Sequence, residues 1–404
     1  MLLCLCTICG YAHQKYVGGD ISLLPEYASA TYKDHSGKVV QPLELFKSEG
    51  LNAMRVRLFV NPDQYPGSDK DPNACQDLEY VKALGKQIKE AGFKLMLDFH
   101  YSDTWADPAK QWTPEEWKSL SNDELYAKIY SYTKEVLEAM KEAGAEPDLI
   151  QTGNEISYGM LWGAYGSSNL KKVYTTSGAN WPYFTTLLKN AVKACREVCP
   201  DAKIIIHSER VPNTTVLRDF FAKVDSVMSD DYDIIGLSYY PYFHGKLSQL
   251  EAALTAVESV SSKEIMIVET GYPYAWEVPG TTTDYTATYP YSDEGQRKFT
   301  ADLIETLNKH EQVTGLFWWW MEYNAYGAGL SGWYNAPLFD SRSGKALSAL
   351  SELKNFLGDD DAVESISAVA NDTDNNWFTI DGIRVTDHSR PGLYIHAGKK
   401  VVVK

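Results

Sequence analysis

Two glutamates, each closing an apolar run, carry the first chemical signal in this chain. Asp148-Leu149-Ile150-Gln151-Thr152-Gly153-Asn154-Glu155-Ile156 runs apolar into a turn that presents Asn154 and Glu155 side by side. Ile265-Met266-Ile267-Val268-Glu269-Thr270-Gly271-Tyr272 repeats the pattern, a buried-looking strand that ends in Glu269. Taken singly, each glutamate would more often cap a helix or sit in an ion pair. Two carboxylates at two strand ends, one beside an asparagine, fit cleavage of a glycosidic bond. That reaction needs one carboxylic acid to protonate the leaving oxygen and a second carboxylate to act as nucleophile or base. The acid must keep its proton near neutral pH, so its surroundings must raise its pKa.

Such groups converge only if rigid elements hold them, and the pattern around them supplies those elements. Strand-like and helix-like runs alternate nearly throughout. Strands are expected at 17–22, 53–60, 94–99, up to the Asn154-Glu155 turn, 202–207, 233–239, up to Glu269, and 314–320. Between them, the 78–91 run places Val81, Leu84, Ile88 and Ala91 on one helical face before Gly92. Ser121-Asn122-Asp123-Glu124 has the form of a capping box, as does Thr113-Pro114-Glu115-Glu116. Strands that are mostly apolar on both faces, alternating with helices, argue an α/β fold closed as a parallel (β/α)8 TIM barrel. A doubly wound sheet would need a glycine-rich phosphate turn after its first strand, and Gly18-Gly19 falls inside that strand instead.

In such a barrel the active site lies at the C-terminal ends of the strands. Those ends bring together Arg55 and Arg57; Asp98, His100, Tyr101 and Asp103; Asn154 and Glu155; His207 and Glu209; Tyr239 and Tyr240; Glu269; and Trp318 to Trp320. Packing alone would not select so many polar and aromatic groups there. Arg57, or a hydroxyl from Tyr239, could hold a nucleophilic carboxylate ionised. One of Arg55 and Arg57 is alternatively the partner of an acid low in the barrel. Asn154 could hydrogen-bond a sugar 2-hydroxyl. His207 is balanced between a buried, hydrogen-bonded role and a place in the cleft.

Composition bounds the rest. The chain has 404 residues, 44% hydrophobic and 23% charged, with a formal net charge of −16. That acidity argues against nucleic acid or an anionic membrane as a partner. Eleven Trp and 27 Tyr exceed what a core requires, and any that line a cleft would suit sugar faces. Residues 1–15 read as a truncated signal-like segment, with Cys9 a loose match to a lipid-anchoring site. Cys75, Cys195 and Cys199 have no second Cys or His cluster nearby in sequence, so neither a zinc site nor a disulfide framework is expected. The catalytic barrel is assigned to 16–360, and 361–404 to a linker and a short C-terminal β appendage with alternating residues. No later run is long enough to span a membrane, and a monomer is expected.

Several longer stretches carry a family resemblance. They are Gly19-Asp20-Ile21-Ser22, Met54-Arg55-Val56-Arg57-Leu58-Phe59-Val60-Asn61-Pro62, Asp98-Phe99-His100-Tyr101-Ser102-Asp103-Thr104-Trp105-Ala106-Asp107-Pro108, Gln151-Thr152-Gly153-Asn154-Glu155-Ile156, Gly236-Leu237-Ser238-Tyr239-Tyr240-Pro241 and Val268-Glu269-Thr270-Gly271-Tyr272-Pro273-Tyr274. Over residues 18 to about 340 the chain resembles glycoside hydrolase family 53, the endo-β-1,4-galactanases. Asn154-Glu155 alone marks only the wider clan of barrels with the acid/base on strand four and the nucleophile on strand seven. The run from His100 to Pro108 is far more specific. The resemblance implies Glu155 as acid/base and Glu269 as nucleophile of a retaining enzyme. It implies a cleft shaped by His100, Asp103 and Trp105, with an aromatic platform near Trp320. The implied substrate is β-1,4-galactan, a pectin side chain, met outside the cell: secreted, periplasmic or surface-held. No cofactor or metal ligand is implied. Some bacterial members hold calcium in the loops after strands seven and eight, but here residues 276–291 offer only Glu277 and Asp284, few for a cation that takes six or more oxygens. Where many members read Trp-Glu-Pro after strand eight, this chain reads Trp320-Met321-Glu322.

Overall fold

The computed structural model describes residues 14–324 and 337–358, together with the strand residues 377–379, 384–385, 392–396 and 399–403. The expected signal-like segment and the polar linker fall outside the described residues, apart from 14–15.

Eight parallel strands close on themselves in chain order: β1 (Tyr16–Asp20), β2 (Ala53–Leu58), β3 (Lys94–Phe99), β4 (Leu149–Thr152), β5 (Lys203–Ser208), β6 (Ile234–Tyr239), β7 (Glu264–Thr270) and β8 (Val313–Trp318). Closure is made by β1 against β8, with Val17 opposite Leu316. Helices α1 (Pro42–Ser48), α2 (Leu78–Glu90), α3 (Asn122–Glu142), α4 (Trp181–Val198), α5 (Thr214–Met228), α6 (Pro241–His244), α7 (Leu247–Glu258), α8 (Asp293–Leu307) and α9 (Ser348–Glu352) lie between and after them. The fold is the (β/α)8 barrel expected.

Alternation along the strands divides the chain between two cores. Successive strand side chains point to opposite faces. One face of every strand joins the helices in a large apolar layer that takes in Val56, Leu97, Ile150, Ile206, Leu237 and Leu316. The other face points into the barrel. Its lower part is a second apolar cluster that includes Tyr16, Ala53, Met96, Leu149, Ile205, Ile234, Met266 and Phe317. Two or more residues further along the same faces stand Asp20, Arg55, Arg57, Asp98, Gln151, His207 and Ser238, all buried. The interior thus changes from apolar to ionic toward the strand ends. Gly315 is required in the packed part, where an added Cβ would lie 2.5 Å from Met266 Cγ.

Strand β7 departs from strict alternation. Leu237 pairs with Ile267 but Ser238 pairs with Glu269, and on the other side Ile267 pairs with Leu316 while Thr270 pairs with Trp318. Both neighbours see one extra residue on β7, a bulge at Val268-Glu269. The bulge turns Glu269 inward, where strict alternation from Met266 would turn it outward.

Helix starts follow the sequence at α3, where Ser121 and Glu124 make both bonds of the capping box. At 113–116 no such helix forms. There is a short 3-10 turn, Glu115–Trp117, whose first N–H is taken by Asp103 Oδ2 at 2.7 Å. The last helix is short: Leu347, Leu350, Leu353 and Leu357 have helical spacing, but α9 passes into a 3-10 turn at Leu353–Phe356 before Gly358.

The chain divides into two compact units, residues 1–357 and 358–404. In the second, strands β9 (Trp377–Thr379), β10 (Arg384–Val385), β11 (Gly392–His396) and β12 (Lys399–Val403) form an antiparallel sheet in the order β10-β9-β11-β12. A β appendage is therefore present.

Candidate active site

The ionic end of the barrel is organised by Arg55. Its side chain is fully buried, and its two terminal nitrogens reach four partners. Nη1 donates to Asp20 Oδ2 at 3.0 Å. Nη2 lies 2.7 Å from Asp98 Oδ2, 2.8 Å from Glu269 Oε1 and 3.1 Å from Asn154 Oδ1. A buried guanidinium needs such anions, and they need it. Asp98 illustrates the balance: burial favours its neutral form, but Arg55 and then His100 hold it below the usual carboxylate range.

Glu269 therefore faces a cation. Its second oxygen accepts from the Tyr240 hydroxyl at 2.8 Å. Burial leaves its carboxyl above the ordinary range, and Arg55 and the Tyr240 bond offset part of that rise. Among the described residues no cation is paired with Glu155. Glu155 stands at the end of β4 in the left-handed region, φ 47°, ψ 52°. The preceding Gly153, at φ 103°, and Asn154 make the turn that places it there. Glu155 Oε1 accepts from Ser238 Oγ at 2.6 Å. Burial, then the charges of Glu269 and Glu209, push its carboxyl well above the ordinary range. The two carboxylates line one cleft of about 360 Å³. One is held by donors and the other is surrounded by acids, so the ionised form is favoured more at Glu269 than at Glu155.

Asn154 is fixed from both ends, with Nδ2 donating to the Ala106 carbonyl at 2.8 Å. His100 accepts the Ala106 N–H on Nδ1 at 3.0 Å and lines the cleft. Trp105 also lines it, anchored by Nε1 donating to Asp71 at 2.9 Å. The Arg57 guanidinium stacks 4.8 Å over the Trp105 ring.

Four expectations need correction. Arg57 lines the cleft but does not reach Glu269: its Nη1 donates to Asp20 Oδ1 at 2.6 Å, and Arg55, lying deeper on the same face, is the partner of Glu269. Tyr239 points away from the cleft and donates to the Gly245 carbonyl at 2.8 Å, because Ser238 and Tyr240 occupy the inward positions of β6. Asp103 does not line the cleft. It accepts from the N–H groups of Asn61 and Glu115 and braces two loops, and burial lifts its carboxyl to about 6 despite those bonds. Trp319 rather than Trp320 lines the cleft. Trp320 is turned by its φ of 57°, packs on Trp319 and donates from Nε1 to Tyr27. His207 is fully buried below Glu155, out of reach of a substrate.

Residues not singled out as site groups also meet here. Gln151 and Ser238 join Asp98 in the buried network, and Asp107, Phe243 and His244 line the cleft beside Glu209. Strand alternation was the available signal for Gln151 and Ser238. Glu322, in the departing stretch after β8, accepts the Leu23 N–H at 2.9 Å and is buried away from the cleft. Among the described residues no three His, Cys, Asp or Glu groups are placed to hold a metal ion. Asp284 accepts the Thr286 N–H at 2.8 Å. None of the described helices is long and apolar enough to cross a membrane.

Comparison with known proteins adds the following. Residues 16–353 match the family model described as glycosyl hydrolase family 53. An arabinogalactan endo-β-1,4-galactanase of Thermothelomyces thermophilus is 32% identical, over 83% of this chain and 98% of its own. A Niallia circulans protein, described as an uncharacterized protein in the bgaB 5' region, is 33% identical over 84% of this chain and 93% of its own. Among solved structures, the GH53 catalytic domain of Ignisphaera aggregans superposes with a TM-score of 0.73 at 31% identity, covering 84% of this chain and 95% of that one.

Proposed function

The chain belongs to glycosyl hydrolase family 53, and from that premise we propose that it is a retaining endo-β-1,4-galactanase acting on galactan and type I arabinogalactan. The observation that carries the mechanism is the unequal setting of two carboxylates in one cleft. Glu269 is bonded by Arg55 and Tyr240, and Glu155 is hemmed by acids. In the first step Glu269 attacks the anomeric carbon while Glu155 gives its proton to the departing oxygen. Glu155 then takes a proton from the water that releases the sugar from Glu269. Asn154, with its amide locked, is offered to the 2-hydroxyl of the sugar in reaction. His100, Trp105, Tyr240 and Trp319 supply aromatic walls. The substrate follows from the relatives named as arabinogalactan endo-β-1,4-galactanases. A polymer of this size is met outside the cytoplasm, so a secreted, periplasmic or surface-held enzyme, working as a monomer and without a cofactor, completes the reading.

The test is product release from purified β-1,4-galactan, with mannan and xylan in parallel. Short galacto-oligosaccharides from galactan alone are expected. Cleavage of mannan or xylan in its place would remove the substrate assignment and leave the two-carboxylate mechanism. Binding to galactan with no release of product would remove the mechanism.

A further inference from the structure

The hydrogen bonds around His207 have a direction, fixed by groups that can act in only one way. The Glu155 backbone N–H donates to His207 Nδ1 at 3.2 Å. The Gln151 amide nitrogen is 3.0 Å from the same Nδ1. That end of the amide must be the nitrogen, because it also lies 2.5 Å from Asp98 Oδ1, and an ionised carboxylate only accepts. With two donors aimed at it, Nδ1 is the lone-pair nitrogen, and the ring proton is on Nε2. Asn154 Oδ1, 3.2 Å from Nδ1, has other donors in reach, Arg55 Nη2 at 3.1 Å and Gln151 Nε2 at 3.3 Å, and needs no hydrogen from Nδ1. The ring stays neutral because burial, and then Arg55, push its pKa well below the ordinary value. Its Nε2–H then donates to Ser238 Oγ at 2.8 Å, which leaves the serine hydrogen for Glu155 Oε1 at 2.6 Å.

We propose that His207 and Ser238 form a one-way hydrogen-bond chain that makes Oε1 of Glu155 a permanent acceptor and confines the acid proton to Oε2. The proposal rests on the reading of Glu155 as acid/base. In glycosylation the Oε2–H bond breaks as the glycosidic oxygen gains the proton, the anomeric C–O bond breaks, and a Glu269 oxygen bonds to the anomeric carbon. In deglycosylation a water oxygen replaces Glu269 at that carbon and its proton returns to Oε2. The proton leaves and returns on one oxygen, so the chain need not reverse during turnover. His207 and Ser238 are positioning residues, since neither touches the reacting atoms. Ionisable groups that act on Glu155 include Glu269 from β7, Glu209 from the turn after β5, Asp107 from the loop after β3, and Tyr240 just after β6.

Two experiments test this. In the first, Ser238→Ala is compared with Ser238→Thr, which keeps a hydroxyl, and His207→Gln, whose amide N–H can replace Nε2–H. Loss of the serine donor removes a bond that favours the ionised carboxylate. The alkaline limb of kcat/KM should therefore move to higher pH in Ser238→Ala, and stay in place in the other two. The kcat on galactan should fall about tenfold or more with KM nearly unchanged. A 2,4-dinitrophenyl β-galactobioside, whose leaving group needs no proton, should lose much less. An unmoved alkaline limb, or equal losses on both substrates, overturns the proposal. Should the wild type cleave neither substrate, the galactanase reading falls, and the second experiment still decides the chain. That experiment is 15N NMR of histidine-labelled wild type, with His207 assigned by its absence in His207→Gln. A neutral, Nε2-protonated ring from pH 5 to 8 is expected. A proton on Nδ1, or titration in that range, overturns the chain.

Discussion

Glu155 and Glu269 have the same side chain and share a cleft, so their different chemistry comes from their neighbours. Arg55 and the Tyr240 hydroxyl favour the carboxylate of Glu269. Among the described residues Ser238 is the donor to the Glu155 carboxyl, and the nearby acids penalise its ionisation. Under the proposed mechanism the acid limb of kcat/KM reports loss of the Glu269 charge, and the alkaline limb reports loss of the Glu155 proton. Tyr240→Phe removes a donor that stabilises ionised Glu269, so the Glu269 pKa rises and the acid limb moves to higher pH. The pH optimum narrows from its acid side. A rate loss of about 10- to 100-fold at the optimum accompanies it, because the same bond supports the departing carboxylate in the second step. A pH–rate series on galactan reads both effects, and an unmoved acid limb would detach Tyr240 from Glu269.

At the scale of elements, three strand ends are held in left-handed backbone: Tyr101 after β3, Glu155 after β4 and Trp320 after β8, at φ 49°, 47° and 57°. Non-glycine residues rarely stay there unless packing over-determines them, and such residues gather at functional sites. The β4 turn shows how the conformation is held. Gly153 takes φ 103°, and a Cβ there would stand 2.7 Å from Ile156 Cγ2. Gly153→Ala is expected to cost about 1–3 kcal/mol in urea unfolding. It should also lower kcat more than it raises KM, since the turn carries both Asn154 and Glu155. A variant with full activity and unchanged stability would show that the turn relaxes freely.

The whole molecule separates into the unit that bears the cleft and the unit that follows Leu357. Every group assigned to catalysis lies in the first, along with a continuous apolar layer between strands and helices that is its own core. A chain ending at Gly358 is expected to keep kcat and KM on soluble galactan within about twofold, with a cooperative melt of its own. A large loss of kcat would give the second unit a part in building the cleft. The net charge of −16 accords with a neutral polymer as ligand rather than a polyanion.

Sequence alone determined the eight strand–helix repeats, the end of the barrel to search, and the two strand-end glutamates that face one cleft. Each of these follows from local periodicity and one topological rule. Alternation along a single strand also held more than was taken from it: Ile234, Gly236, Ser238 and Tyr240 share a face, which already excludes Tyr239. Tertiary structure alone decided three things. It chose Arg55 over Arg57 as the partner of Glu269, because both face inward and only depth in the barrel separates them. It turned Glu269 into the cleft through a bulge on β7 that leaves no local mark in composition. And it joined Gln151, His207 and Ser238 from three different strands beneath Glu155, since register between strands is set by barrel closure and not by any one segment.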